Sequence, residues 1–192
     1  MKKNKSFYSH PSSIIGKNAK IGKDTKIWHF CHVMQNSIIG TNCILGQNVF
    51  IGSNVIIGNN VKIQNNVSIY NGVICEDDVF IGPSAVFTNV INPRATIERK
   101  NEFKKTILKK GSTIGANATI ICGNTIDSFS LIGAGSVITK NVAKYEVVIG
   151  NPARRIGWVS EKGKNLVFKK NKAICSLSKT KYILKNNKVY KS

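Results

Sequence analysis

"SIIGTNCILGQNVFIGSNVIIGNN", residues 37–60, decides the fold. An aliphatic residue followed by Gly returns every six residues, at Ile39-Gly40, Leu45-Gly46, Ile51-Gly52 and Ile57-Gly58. Apolar residues recur about every 3.6 positions on an amphipathic helix and about every 2 on a half-buried strand. Six is a multiple of two, and a Gly at each repeat would weaken a helix by ~1 kcal/mol. The stretch therefore reads as short strands separated by turns.

The period runs well beyond the quoted residues. Steps of six from Ile15 land on Ile21, Ile27, Val33, Ile39, Leu45, Ile51, Ile57, Ile63, Ile69, Cys75, Ile81 and Phe87. Two positions earlier in each hexad stands a small or β-branched residue, such as Thr25, Ser37, Cys43, Val49 or Val67. Side chains two apart on a strand share a face, so both columns point inward. The phase resumes at Ile114, Ile120, Ile126, Ile132 and Ile138. The interval from 87 to 114 is not a multiple of six, which predicts an inserted loop near 90–110. Three hexads make one triangular coil of 18 residues, and coils stack ~4.8 Å apart through strand hydrogen bonds. Gly and Asn at the corners are expected to supply turns with positive φ.

Composition narrows the class. The 192 residues suffice for one domain, 42% of them hydrophobic and 20% charged. No apolar run reaches the ~18 residues of a membrane span, and the basic start "MKKNKSFYSHPSS" has no apolar core after it. The expectation is a cytoplasmic protein without membrane insertion. Cys31, Cys43, Cys75, Cys122 and Cys175 form no CxxC pair, and they read as reduced, mostly buried thiols. The formal charge of +20 suits nucleic acid, anionic membrane or phosphorylated small molecules, but 25 Lys against 4 Arg is also what an AT-rich genome places on a solvated surface.

The hexads resemble those of the hexapeptide-repeat acyltransferases. The segment "VIGNPARRIG" (148–157) is similar to the closing signature of that superfamily. Within it, "IWHFCHV", "LGQNVFIG", "KIQNNVSIYNGV", "FIGPSAVFTNVINPRATIERK" and "GANATIICG" resemble the nucleotide-linked 3-amino-sugar N-acetyltransferases, notably those acting on UDP-2-acetamido-3-amino-2,3-dideoxyglucuronate. The resemblance implies an all-β, left-handed parallel β-helix over 8–141, a closing segment over 142–162 and a homotrimer. It implies acetyl-CoA as co-substrate, a UDP- or dTDP-linked amino sugar as acceptor, and a product destined for a surface glycan such as O-antigen lipopolysaccharide. Neither a metal nor nucleic acid is expected as a partner. An O-acetyltransferase on the same fold and a non-catalytic β-helical binding module stay open as alternatives.

Acetyl transfer needs an uncharged, oriented amine and donors for the oxyanion. Only His10, His29 and His32 are available as a His base. His10 precedes the repeat and reads as a surface residue. His32 adjoins inward Val33 and should face outward. Steps of 18 align His29 with Gln47 and Asn65, beside Asn48 and Asn66. This carboxamide-rich corner suits a polar ligand; a stacked ladder that only supports turns is the competing reading. Asn89 falls in another column, with Gln35, Ser53 and Asn71. The resemblance implies that Asn89 holds the acceptor amine and that the leaving thiolate of CoA can take the proton. It also implies that the loop, with Asn92, Arg94, Glu98 and Arg99, covers a site shared between subunits, and it adds Tyr70 to the acceptor site. For acetyl-CoA it implies a path along Gly115, Ala116, Gly133 and Ala134, with Arg154 and Arg155 at the phosphates. Residues 163–192 depart from the repeat. Their "KYILKNNKVY" reads as a solvated hairpin turning at Asn186-Asn187, with RNA or anionic lipid as the less favoured partners.

Overall fold

Lys26–Ile27 pairs in parallel with Tyr8–Ser9 below it and with Ile44–Leu45 above it, each 18 residues away. The same step continues to Lys62–Ile63 and Phe80–Ile81. The protein, seen here as a computed structural model describing residues 6–192, is a left-handed parallel β-helix of triangular section. A second face carries Ile14–Ile15, His32–Val33, Phe50–Ile51 and Ser68–Ile69, then a separate ladder of Val86–Phe87, Thr119–Ile120 and Val137–Ile138. The third runs from Lys20–Ile21 through Ile38–Ile39, Ile56–Ile57, Val73–Cys75 and Thr106–Leu108 to Thr125–Ile126.

Both expected columns face the interior. Ile27, Val33, Leu45, Ile51, Ile63 and Ile81 have no exposed surface, nor do Val55, Val61 and Val67 two positions before their partners. Each such aliphatic side chain contributes roughly 1.5–3 kcal/mol by leaving water. Polar members of the column divide: buried Thr25 donates to the Gly40 carbonyl at 2.8 Å and accepts from the Cys43 N–H at 3.0 Å, whereas the buried Thr106 and Ser112 hydroxyls have no hydrogen-bond partner among the described residues. All five cysteines are free and buried, and burial pushes the Cys31, Cys43 and Cys75 thiols up from their ordinary value. Such thiols are poor nucleophiles.

The corner chemistry differs from the expectation in one respect. Positive φ belongs to the residue three after an inward aliphatic, as at Asn36, Asn42, Asn48, Asn54, Asn60 and Asn66 and at Gly72, Gly111, Gly123 and Gly135, so the expected corner residues are there but the Gly of each aliphatic-Gly pair is not one of them. The Gly directly after the aliphatic has another task. A Cβ on Gly40 would lie 2.5 Å from the Gly58 carbonyl oxygen of the next coil, and one on Gly58 would lie 2.6 Å from Asp77 Oδ1. Close stacking of coils, rather than backbone handedness, keeps these positions bare.

The excursion between the second and third faces is shorter than the phase suggested. Cys75 pairs with Leu108, 33 residues on, so the coil holds 15 extra residues beyond 18. The phase resumes one hexad before Ile114, with buried Thr106 and Leu108. The excursion closes at residue 105, where Lys104 N–H donates to the Asn89 carbonyl at 3.0 Å and Thr106 N–H to the Gly72 carbonyl at 3.0 Å.

Past the last full coil, Glu146–Gly150 joins the first face and Ala153–Trp158 folds back on it antiparallel. The tail is more than a solvated hairpin. Lys181–Lys185 and Lys188–Lys191 do turn at Asn186-Asn187, both with positive φ, and Lys172–Ile174 adds a third antiparallel strand. Tyr182, Cys175, Ala173 and Val189 bury one side of this sheet against Tyr145, Trp158 and Leu166. No helix among the described residues is long and apolar enough to cross a membrane.

Candidate active site

The corner between the first and second faces is a continuous edge running the length of the helix. Asn48 N–H donates to the His29 carbonyl (2.9 Å), Asn66 N–H to Gln47 (3.0 Å), Ser84 N–H to Asn65 (2.9 Å), Asn117 N–H to Pro83 (3.0 Å) and Gly135 N–H to Ala116 (2.8 Å). The column is therefore His29, Gln47, Asn65, Pro83, Ala116, Ala134. Residues expected at the acceptor and residues expected along acetyl-CoA thus stand on one edge, early coils below and late coils above.

Within that column the carboxamides divide. Asn65 Oδ1 accepts the Gln47 N–H at 2.9 Å, and Asn48 Nδ2 donates to Asn66 Oδ1 at 3.2 Å. Asn48 and Asn66 also take the positive-φ corner conformation, at 60° and 62°. These three support the stack. The Gln47 side chain makes no hydrogen bond among the described residues, so both ends of its amide remain available. Higher on the edge, a Cβ on Gly115 would lie 2.5 Å from Ala134 N, so the stack by itself requires that Gly. A Cβ on Gly135 would meet nothing within 4 Å.

The first coils end in an aromatic shelf. His10 stacks on His29 with ring centroids 3.6 Å apart, and Tyr8 meets Trp28 edge-on at 5.7 Å. His10 Nδ1 lies 2.8 Å from Ser12 Oγ, which accepts the Phe30 N–H at 2.9 Å. The sequence reading took His10 for a surface residue. A step of 18 back from Trp28 lands on it, next to the His29 column, and is the signal that finds it. His32 faces outward, edge-on to Phe50 at 5.9 Å, and Phe50 packs at 6.0 Å on Tyr70.

Asn89 stands at a different corner, between the second and third faces, at the neck of the excursion. Its carbonyl closes the neck; its side chain is half-buried with no hydrogen bond among the described residues. In the excursion, Arg99 Nη1 reaches both carboxylate oxygens of Glu102 at 2.8 Å, and Glu98 pairs with Lys100 at 3.1 Å. The Arg94 side chain bonds the neighbouring Pro93 carbonyl at 3.2 Å and no other group among the described residues, and Arg94 is exposed, as is Asn92. A whole face of the triangle separates this corner from His29, so one chain does not bring Asn89 and His29 together.

Arg154 and Arg155 lie on the strand that extends the first face. Arg154 is paired with Ile149, whose side chain occupies the space a Cβ on Gly133 would need, so it stands beside the late-coil edge. Arg155 sits over the Trp158 ring at 4.8 Å and 3.9 Å from Glu146. No group of three or more His, Cys, Asp or Glu among the described residues is placed to hold a metal ion.

Comparison with known proteins matches this architecture. Residues 18–53 match the family "Bacterial transferase hexapeptide (six repeats)", and residues 37–71 and 106–140 match "Hexapeptide repeat of succinyl-transferase". The chain is similar to the dTDP-3-amino-3,6-dideoxy-alpha-D-galactopyranose 3-N-acetyltransferase of Aneurinibacillus thermoaerophilus, 44% identical over 77 residues that make up 40% of each chain. It is similar to the serine acetyltransferase of Buchnera aphidicola subsp. Schizaphis graminum, 32% identical over 100 residues, 52% of this chain and 36% of that one. The matches thus span well under half of these relatives' lengths. Among solved structures, a hexapeptide-repeat-containing acetyltransferase of Vibrio cholerae complexed with acetyl-coenzyme A superimposes with a TM-score of 0.56 at 25% identity, over 64% of this chain and 70% of that one.

Proposed function

We propose that this chain is an acetyl-CoA-dependent N-acetyltransferase acting on the 3-amino group of a nucleotide-linked amino sugar. The observation that carries the reading is the 44% identity over 77 residues to a 3-N-acetyltransferase of a dTDP-linked 3-amino sugar. The continuous edge from His29 to Ala134 supports it, because it sets the residues expected at the acceptor and those expected along acetyl-CoA in one line, where two substrates can meet end to end.

In this reading acetyl-CoA lies along the upper edge at Gly115, Ala116, Gly133 and Ala134, with Arg154 toward its phosphates. Arg155 is the second cation there, already engaged by Glu146 and Trp158. The sugar amine attacks the thioester carbonyl, the tetrahedral oxyanion collapses, and CoA thiolate leaves and takes the amine's proton. Asn89 orients the amine. His29 is the alternative proton acceptor, and Gln47, Tyr70, Asn92 and Arg94 contact the sugar nucleotide. Positioning of this kind contributes up to ~7–11 kcal/mol in ideal cases.

Asn89 and the His29 edge meet only if a neighbouring subunit supplies one of them, and a homotrimer does so. The third face favours association. Ile38, Ile56, Ile74 and Ile107 stand outward in register, with Ile38 43% and Ile56 46% exposed. The cytoplasm, where acetyl-CoA and nucleotide sugars are supplied, is the proposed location, and O-antigen or another surface glycan the proposed destination.

The similarity to a serine acetyltransferase favours one other reading, O-acetylation of a small acceptor. Incubation with acetyl-CoA and a panel of UDP- and dTDP-linked amino sugars, with serine alongside, separates the two through thiol release. Release that depends on a 3-amino nucleotide sugar is expected. Release with serine alone would establish the second reading, and none with any acceptor would leave a binding module.

A further inference from the structure

The three-stranded tail sheet has two unlike sides. Ala173, Cys175, Tyr182 and Val189 are buried against the end of the β-helix. The opposite side is turned to solvent, and it is not polar throughout. Ile174 is 60% exposed, Ile183 39% and Tyr190 52%. The register makes them one patch: Ile183 is flanked by Tyr190 on one neighbouring strand and Lys172 on the other, and Ile174 is opposite Lys181. Lys185 and Lys188 face each other at the turn end. Residues 162–192 contain ten Lys and no Asp, Glu or Arg. The acidic residue just before them, Glu161, is tied to Lys191 at 2.9 Å.

We infer that this outer face of the tail sheet docks on an anionic lipid surface, with Ile174, Ile183 and Tyr190 entering the headgroup layer and Lys172, Lys181, Lys185 and Lys188 meeting the phosphates. A patch of aliphatic groups ringed by one sign of charge matches an anionic bilayer, which offers apolar depth and negative charge together. Tyr suits the interface because its ring is apolar and its hydroxyl stays wet. A second copy of the chain is a poor occupant, since two such faces carry the same charge. Nucleic acid is also poorly served. The face has one aromatic ring to stack a base and no Arg to fork a phosphate or guanine edge, and Ile174 and Ile183 would stay unmatched. The association is peripheral, made through the outer face of this sheet.

The test must separate this face from the protein's general charge. Full-length protein is sedimented with phosphatidylglycerol–phosphatidylcholine vesicles and with pure phosphatidylcholine vesicles, at about 0.15 M salt, where the Debye length is ~8 Å. Three variants are compared: Lys172, Lys181, Lys185 and Lys188 all to Gln; a control with Lys17, Lys20, Lys23 and Lys62 all to Gln, which has the same net charge; and Ile174→Ser with Ile183→Ser. The substituted tail residues avoid the buried side of the sheet, so the near-ultraviolet circular dichroism of Trp158 and Tyr182 should persist in all three. Binding to anionic vesicles only is expected, unchanged in the control and reduced at least tenfold in both tail variants. Equal losses in the two lysine variants would reduce the effect to net charge and overturn the inference. Retained binding after Ile174→Ser and Ile183→Ser would do so too. A single-stranded RNA that displaces wild-type protein from the vesicles, and that the tail lysine variant no longer binds, would assign the face to nucleic acid instead.

Discussion

The imidazole of His10 lies face to face on that of His29, with ring centroids 3.6 Å apart and planes inclined by 29°. The Ser12 hydroxyl accepts the Phe30 N–H and lies 2.8 Å from His10 Nδ1, to which the Ser12 backbone N–H donates at 3.2 Å. That nitrogen is therefore an acceptor. His29 is held by stacking alone, with no hydrogen bond among the described residues to fix a tautomer. A general base is ordinarily oriented through its second nitrogen, and His29 lacks that support.

The first prediction follows from this. His29→Asn should keep substantial activity and retain the acidic limb of kcat/KM, which then reports the substrate's own amine. Asn89→Ala should lose ~10²-fold or more in rate through misplacement of the amine, without moving the limb. Loss of both rate and limb in His29→Asn would make His29 the base.

The two arginines of the excursion should behave differently. Arg94 is exposed and its guanidinium reaches just a backbone carbonyl, whereas the Arg99 guanidinium is committed to Glu102. Arg94→Ala should raise the KM of the sugar nucleotide about tenfold with little change for acetyl-CoA, since a lost charge-assisted contact costs ~1.5–3 kcal/mol. Arg99→Ala should be matched by Glu102→Gln, because both break the same internal pair. Equal KM effects of Arg94→Ala on both substrates would count against an acceptor contact.

Where the excursion is cut should matter sharply. Replacing residues 91–102 by a short Gly linker leaves Asn89, Lys104 and the neck in place, so a folded protein with poor acceptor binding is expected. A deletion extended through Thr106–Leu108 removes a strand paired on both sides and the fully buried Leu108. Truncating such a side chain alone costs ~2–5 kcal/mol, and the melting temperature should fall accordingly. Thermal unfolding of the two deletions decides this.

The tail should be released by acid before the helix melts. Partial burial pushes the Glu161 carboxyl up, but hydrogen bonds from Lys191 and Tyr145 outweigh it and hold the carboxyl below its usual range. A lowered folded value means stabilisation present above the unfolded pKa of ~4.3 and lost as pH falls through the folded value. The near-ultraviolet signal of Trp158 should therefore decline in that acidic window while far-ultraviolet β signal persists, and Glu161→Gln should remove the transition. Tyr145 carries the opposite sign. Burial, then its bond to Glu161, raises its phenol, so that contribution is lost above the unfolded value of ~10. An acid transition unchanged in Glu161→Gln would show that another group controls docking.

The hexads were legible because their causes are local. Alternation along a strand sends Val49 and Ile51 inward and Phe50 outward whatever the rest of the chain does. The 18-residue stacking of His29, Gln47 and Asn65 followed from the same arithmetic. Arg94 and Arg99 looked equivalent because an ion pair three residues away is a choice of side-chain geometry, not of composition.

The sequence by itself determined the strand period, the inward columns, the coil length and the existence of an excursion. Each is a property of six to eighteen consecutive residues, fixed by backbone pleat and turn sterics. Only the tertiary structure decided that Asn65 and Pro83 continue into Ala116 and Ala134, that Leu108 replaces a missing hexad, and that the tail folds on Tyr145 and Trp158. These depend on which strand a segment accepts as its neighbour after 15 extra residues or a change of direction. That choice is made by hydrogen-bond closure and apolar burial between distant segments, and no local pattern carries it.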